Sequence, residues 1–424
     1  MLKQKYDVIV IGAGPAGLAA AIEAKKTGAQ DVLVIERAQE LGGILQQCIH
    51  NGFGLQTFKK DLPGPAYAQR FIDELTSLHI DTLLDAMVLD VTGERHVSAT
   101  SQWSGYVELD ARALVLAMGC RERTRAQIAL PGTRPAGVYT AGTAQRFVNM
   151  EGFMPGKKFV ILGSGDIGMI MARRLTFEGA KVERVLEIMP FLTGLTRNYV
   201  QCLQDFDIPL QLQHTVKRII GNERVEAIES VQIDDHRQPI PGTEEVIPCD
   251  TLLLSVGLIP ENELSRKAGV ALDPVTAGPF VDERMQTNVP GIFAAGNVVH
   301  VYDLVDWVTE AGLLCGRNAA QYAIAERKHA GRKVKMTAGD NVRYVVPHVL
   351  DKESLAEAPQ RLQMRVTTPI EAPVWVEVMN GEERIVRKAD LYARPGEMVN
   401  IDIPQSAYDA VQRASQLTVR VVRR

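Results

Sequence analysis

The 424 residues predict about three domains at ~150 residues each. Hydrophobic residues make up 46% and charged residues 23%, the balance of an ordinary globular protein with apolar content for large cores. Lys+Arg of 47 against Asp+Glu of 51 leaves a net charge of −4, which gives no support for nucleic-acid binding. The five cysteines (Cys48, Cys120, Cys202, Cys249 and Cys315) are scattered, with no C-x-x-C, so reduced thiols are expected rather than a zinc or iron–sulfur pattern. No apolar run approaches the ~20 residues of a membrane span. The first strand begins near Tyr6, which leaves no room for a signal peptide. The expectation is a cytoplasmic chain, with peripheral docking on a membrane left open.

Residues 7–11 read as a buried strand, with Val8 to Ile11 in one apolar run. Gly12, Gly14 and Gly17 then give G-x-G-x-x-G, and 18–26 continues with helical periodicity. The spacing is mechanical. Gly12 permits the tight turn, Gly14 lets backbone approach a pyrophosphate, and Gly17 lets the helix pack on the strand with its N-terminus aimed at the phosphates. A second strand, 32–35, ends at Glu36, the position that binds a ribose hydroxyl in such a fold.

The connection 37–58 is long and holds Gly42, Gly43, Gly52 and Gly54. Connections of this length are functional or disordered, and Gly42-Gly43 would allow close backbone approach to a cofactor. Residues 66–78 read as an amphipathic helix and 82–109 as short strands. Residues 113–119, ALVLAMG, form an apolar strand ending in Gly119. The segment 119–139 reads as a crossover linker. Its Arg121, Arg123, Arg125 and Arg134 either contact phosphates or are simply solvated.

The opening pattern then recurs. Residues 158–168 read KFVILGSGDIG, with Gly163, Gly165 and Gly168 in the same spacing. Glu187 follows Gly163 by 24 positions, as Glu36 follows Gly12. Residues 251–257, TLLLSVG, repeat the apolar strand ending in glycine. Two dinucleotide folds in one chain argue for two dinucleotides and electron transfer between them. Glu187 at the second ribose position favours NAD over NADP, because a carboxylate repels a 2′-phosphate; Arg184, three residues earlier, tempers that preference.

Residues 291–297 read GIFAAGN, and a helix is expected over 303–325, capped by Asp303 with Asp306 three residues on. The positive end of that helix would suit the negative charge of a reduced flavin. Residues 327–335 read as a basic polar linker. From 341 on the texture is β-rich, at 342–346, 362–366, 374–378 and 417–422, with a hairpin signal at Asn380-Gly381. The fold class expected is α/β: two Rossmann-like dinucleotide-binding domains of three-layer ββα type, plus a small C-terminal β-rich, sandwich-like domain. The expected boundaries are 1–124 with 258–330 for FAD, 125–257 for NAD, and 335–424 for the last domain.

Assembled, these motifs resemble the two-dinucleotide FAD/NAD(P)H oxidoreductases, the pyridine nucleotide-disulfide oxidoreductase superfamily, over roughly residues 6–326. GGILQQCIHNGFG, GCRERTR, GSGDIG, LTRNYVQCL and AGNVVHVYDLVDW are similar to the flavoprotein subfamily that accompanies glycerol-3-phosphate dehydrogenases. That subfamily is itself similar to the flavin subunits of hydrogen cyanide synthase, opine oxidase and proline dehydrogenase. The resemblance implies FAD contacts at Gly12, Gly14, Pro15, Ala16, Gly17, Glu36, Arg37, Gly43, Ala117, Gly119, Gly296, Asn297 and Val305. It implies NAD(H) contacts at Gly163, Gly165, Asp166, Ile167, Gly168, Glu187 and Gly257. No metal is implied.

Three departures bear on chemistry. Disulfide reductases of this type carry C-x-x-x-x-C after the Gly-Gly or C-x-x-C in the second fold; here only Cys48 follows Gly43, and the second fold has no such pair. The H-P acid–base motif is absent. Asn297 replaces the usual Asp of the second flavin motif, and its amide could still bond ribityl or phosphate oxygens. Three readings follow. One is hydride transfer between NADH and FAD with onward transfer to a partner or carrier. Another is the flavin subunit of a dehydrogenase for glycerol phosphate, an amine or an imino acid. The third is a non-catalytic electron-transfer or assembly subunit. Cys48 and His50 are the catalytic candidates: Cys48 as a redox-active thiol or an inert buried one, His50 as a proton shuttle or a structural hydrogen-bonder.

Overall fold

The computed structural model describes residues 2–325 and 331–424. Two compact units emerge: residues 1–120 together with 260–424, and residues 121–259.

The first unit is built on the opening strand, Lys5–Ile11. Its apolar run from Val8 to Ile11 is buried on both faces, the signature of a parallel sheet covered on two sides. It lies between Val32–Ile35 and the long strand Gly105–Leu116, parallel to both. Asp81–Leu83 extends the sheet beyond Val32–Ile35, and Ile292–Ala294 pairs in parallel with the other side of Gly105–Leu116. The first half of Gly105–Leu116 turns antiparallel to His96–Ser101, which pairs in turn with Ala86–Val91.

Helix Pro15–Lys26 starts with proline, whose missing N–H costs nothing there. It packs against helix Val305–Ala325 at backbone distance. A Cβ on Gly312 would lie 2.4 Å from the Ala16 carbonyl oxygen, and one on Gly316 would lie 2.1 Å from that of Ala20. Alanine on one helix facing glycine on the other is what allows so close an approach.

Within the same unit, residues 331–424 carry two sheets. One runs in the order Val349–Asp351, Lys333–Ala338, Gln416–Arg423, Val374–Asn380, Glu383–Asp390. The other runs Val342–Val346, Gln360–Val366, Val399–Ile403. Both feed one apolar cluster that includes Val334, Leu362, Val376, Ile401 and Leu417. The polar reading of 327–335 is corrected here. Residues 326–330 lie outside the described residues, and Lys333 begins a strand, because Val334 and Met336 alternate inward between exposed lysines. Asn380 pairs with Glu383, so Gly381, at φ +59°, supplies the turn.

The second unit has a five-stranded parallel sheet in the order Leu210–Leu212, Lys181–Glu187, Lys158–Leu162, Thr251–Leu254, Val138–Thr140. Helix Asp166–Phe177 follows the second glycine turn. A three-stranded antiparallel sheet, His214–Ile220, Ala227–Gln232 and Glu245–Pro248, completes the layers. Two helical segments carry no obvious period in the sequence. One is Ala141–Arg146, which runs into the π turn Phe147–Glu151. The other is Thr196–Cys202.

Two candidate nucleotide cradles

In the first unit, Gly12 sits at φ +101°, and a Cβ there would lie 2.4 Å from the Ala117 carbonyl oxygen. A Cβ on Gly17 would lie 1.8 Å from the Gly12 carbonyl oxygen. Both positions are closed to any side chain by the protein itself. Gly14 differs, since a Cβ there meets nothing within 4 Å. Its smallness is not demanded by packing, which suits a turn whose open side receives a phosphate. No side chain caps helix Pro15–Lys26, so its N-terminal N–H groups are left to a ligand or water. The Gly42 N–H donates to the Ala13 carbonyl (2.9 Å), and a Cβ on Gly43 would meet the Gly14 Cα at 2.9 Å. The glycine pair therefore lies against the first glycine turn.

Glu36 is buried at the end of its strand. Its Oε2 accepts the Ala13 N–H (2.7 Å) and its Oε1 accepts the Ala38 N–H (2.9 Å). The carboxylate thus first fixes the turn, and each oxygen keeps one further lone pair. Arg37 beside it is exposed. Gly296, at φ +77°, would bring a Cβ to 2.7 Å from the Ala16 Cβ, and the next N–H back, that of Ala295, donates to the Leu116 carbonyl (3.1 Å). Asn297 is engaged on both sides of its amide: Oδ1 accepts the Tyr302 N–H (3.0 Å), and Nδ2 donates to the Cys120 Sγ (3.6 Å). Gly119, at φ +71°, has open space where its Cβ would be.

The capping expectation for the long helix is corrected. Helix Val305–Ala325 starts at Val305, and Asp303 turns away from it: its Oδ2 accepts the Met398 N–H (3.0 Å), with the Arg365 guanidinium 3.8 Å from Oδ1. Asp306 accepts the Thr57 N–H (2.8 Å), the Trp307 indole N–H donates to Gln56 (3.1 Å), and the Tyr67 and Thr309 hydroxyls share a hydrogen bond (2.7 Å). These contacts pin the glycine-rich connection and the helix after it to the start of the long helix. The partners lie 242 to 251 positions apart, which no local pattern announces.

Of the catalytic candidates, Cys48 is buried, and burial pushes its thiol up to about 12. A thiolate is what reacts, so this environment favours the inert reading. His50 is half-buried, packed on Phe53, and its Nδ1–H donates to the Asn51 carbonyl (2.9 Å). That bond is local and structural.

In the second unit the glycines repeat the arrangement. Gly163 is at φ +98°, and a Cβ there would lie 2.1 Å from the Ser255 carbonyl oxygen. Cβ atoms on Gly165 and Gly168 would meet the Ser255 side chain at 2.8 Å and 2.6 Å, and the Gly168 N–H donates to Ser255 Oγ (3.1 Å). Asp166 Oδ1 accepts from the Leu195 N–H (2.8 Å) and the Asn198 amide (2.7 Å). A Cβ on Gly194 would lie 2.7 Å from the Ser164 carbonyl oxygen, so segment 192–198 lies against the glycine turn. Ile167 sits at the start of that helix, and Gly257, at φ +98°, accepts the Arg123 N–H at its carbonyl (3.0 Å).

Glu187 is more heavily engaged than Glu36. Its Oε2 accepts from the Ser164 N–H (2.8 Å), the Ser164 hydroxyl (2.6 Å) and the Thr193 hydroxyl (2.9 Å), and its Oε1 accepts from the Met189 N–H (2.9 Å). No motif marks Ser164 or Thr193 in the sequence. Ser164 differs from the first copy only in carrying a hydroxyl at the x of G-x-G, where the first copy has Ala13. Arg184 is held bidentately by Glu245 (2.7 and 3.0 Å), so it is committed elsewhere. Of the linker arginines, Arg125 donates to the carbonyls of Leu130 (3.3 Å) and Gly132 (3.0 Å), a turn-bracing role.

Residues 6–351 match the profile of the family described as pyridine nucleotide-disulphide oxidoreductase. One component protein of the opine oxidase of Agrobacterium tumefaciens (strain Ach5) is 27% identical over 358 residues, 80% of this chain and 69% of that protein. Thioredoxin reductase of Listeria innocua is 27% identical over 330 residues, 77% of this chain and 96% of that protein. Among solved structures, that of T. acidophilum thioredoxin reductase superposes with a TM-score of 0.63 at 23% identity, over 76% of this chain and all of that one. Among the described residues, no helix is long and apolar enough to cross a membrane.

Proposed function

The chain belongs to the pyridine nucleotide-disulphide oxidoreductase family, whose enzymes use FAD and NAD(P)H, and on that premise we propose that it passes reducing equivalents from NADH to flavin and onward to a partner protein or carrier, without a redox-active cysteine pair. When bound, FAD supplies the hydride acceptor and the nicotinamide the hydride donor. The chain's own residues bind and orient. In the first cradle, Gly12 and Gly17 shape the turn, Gly14 leaves it open, and Glu36 offers one lone pair per oxygen to a ribose. In the second, Glu187 presents its charge where an adenosine ribose would lie, which favours NADH over NADPH.

The observation that carries the cysteine-free reading is Cys48. It is the sole cysteine on the glycine-rich connection, it is buried, and burial pushes its thiol up to about 12. Reductive titration tests this: about two electrons per FAD are expected. A four-electron titration with a stable charge-transfer band restores disulfide-reductase chemistry.

The likeness to a component of a multi-subunit opine oxidase supports a second reading. In it the chain is the flavin subunit of a dehydrogenase for an amine, an imino acid or glycerol phosphate. Anaerobic bleaching of the flavin separates the two: NADH bleaches it under the first reading, the amine or glycerol phosphate under the second.

A further inference from the structure

The two acids at equivalent positions have different spare capacity. A carboxylate offers about four lone-pair sites, two per oxygen. Glu36 uses one on each oxygen, for the Ala13 and Ala38 N–H groups. Glu187 uses the matching two for the Ser164 and Met189 N–H groups, and then adds two hydroxyls, both on Oε2. The hydroxyls of Ser164 and Thr193 also lie 3.0 Å from each other, and the Thr193 N–H donates to Ser164 Oγ (3.1 Å). Each hydroxyl has one proton. Whichever way those protons point, the Ser164 N–H and at least one hydroxyl fill Oε2. Only Oε1 keeps a free lone pair. Glu187 is 3% exposed, and its neighbour Arg184 is bound to Glu245 instead.

We infer that Ser164 and Thr193 are positioning residues that make ribose recognition in the second cradle one-pronged, through Glu187 Oε1 alone. The ligand is the adenosine ribose of a nicotinamide dinucleotide, so the inference rests on the reading of this cradle as the NAD(H) site. The two protein hydroxyls occupy the acceptor oxygen that a ribose diol would otherwise share. The carboxylate is then locked in place, and only one of the two ribose hydroxyls contributes to affinity. Either protein hydroxyl suffices, so removing one leaves Oε2 full. Removing both, in Ser164→Ala with Thr193→Val, leaves backbone donors only and reproduces the first cradle, where Ala13 stands at the position of Ser164.

The test is calorimetric titration of the FAD-loaded protein with NAD⁺ and with its 2′-deoxy and 3′-deoxy adenosine-ribose analogues, which needs no turnover. In the wild type, one analogue binds within about twofold of NAD⁺ and the other about tenfold more weakly, the scale of a hydrogen bond to a charged group. Each single variant, and Thr193→Ser, keeps that one-sided pattern. In the double variant both analogues lose about tenfold. A wild type in which both analogues lose equally overturns the inference while leaving the site reading intact. So does a double variant with the wild-type pattern and an unchanged melting temperature. Binding of NAD⁺ that is indifferent to both analogues and to Glu187→Gln overturns the site reading itself, and the inference with it.

Discussion

The two glycine cradles are nearly indistinguishable as sequence and unequal as structure. Gly12 and Gly163 adopt the same backbone, at φ +101° and +98°, and both acids end a strand with a backbone N–H on each oxygen. They differ in what surrounds the turn. In the first, Gly17 presses on the backbone of Gly12, and Glu36 is held by backbone alone. In the second, Gly168 presses on a side chain, Ser255, and Glu187 is held by two hydroxyls as well. Motif spacing fixes the turn; one residue between the glycines, Ser164, and one from a separate loop, Thr193, decide how tightly the acid is held.

The sharpest way to break this comparison is at the third glycines. Gly17→Ala forces a Cβ into a backbone oxygen, so a loss of about 3 kcal/mol or more is expected, with loss of bound flavin. Gly168→Ala meets the Ser255 Cβ at 2.6 Å, a clash that needs a smaller shift than the 1.8 Å one at Gly17, and about 1–2 kcal/mol is expected. Urea unfolding with flavin fluorescence measures both, and equal losses would erase the distinction.

The acids come next. Glu187→Ala strands two N–H groups and one of two hydroxyl protons in a buried site, the other being able to bridge Ser164 and Thr193, for an expected loss of about 3 kcal/mol; Glu36→Ala strands two N–H groups, for about 2 kcal/mol. Unfolding midpoints in the reverse order would show that hydroxyls re-pair freely. In the gentler Glu187→Gln, the preference for NADH over NADPH should narrow by about tenfold, or about 1.4 kcal/mol, in stopped-flow flavin reduction. Faster reduction of the wild type by NADPH would remove Glu187 from the ribose.

The smallest effect concerns two buried thiols, one in each unit. Burial raises both Cys48 and Cys249 from 9.0 to about 12. The unfolded chain therefore ionises them first. Their contribution is fully present below about pH 9 and is lost as the pH rises toward 12. Cys48→Ala should flatten the fall in melting temperature over that window while leaving flavin bleaching by NADH unchanged. An equally steep fall would mean the thiol is not buried in solution.

The strands and helices that carry the cradles are legible because each is an apolar run or period closed by glycine: 32–35 matches the observed strand, and 18–26 lies within Pro15–Lys26. The fold class could be read from the repetition of that pattern. What could not be read is long-range bonding. Asp303 reads as a cap because an acid precedes a helix, yet it serves Met398, 95 positions away. Asn297 reads as a ligand to a cofactor, and the sequence does not announce that each end of its amide also has one protein partner. Thr193 lies in a loop with no motif, and only the packing of that loop brings it to Glu187.

The backbone-close pairing of helix Pro15–Lys26 with Val305–Ala325 also sets a schedule for synthesis. Ala16 and Ala20 wait for Gly312 and Gly316, which are translated roughly 300 residues later. At about 5–20 residues per second that is an interval on the order of 15–60 s. Throughout it the face of the first helix that carries Ala16 and Ala20 has no partner, although its other contacts, with strands and a helix before residue 117, are already made, and residues 121–259 are made within the interval. That one helix face is thus the surface of the first unit that stays uncovered until the long helix is made.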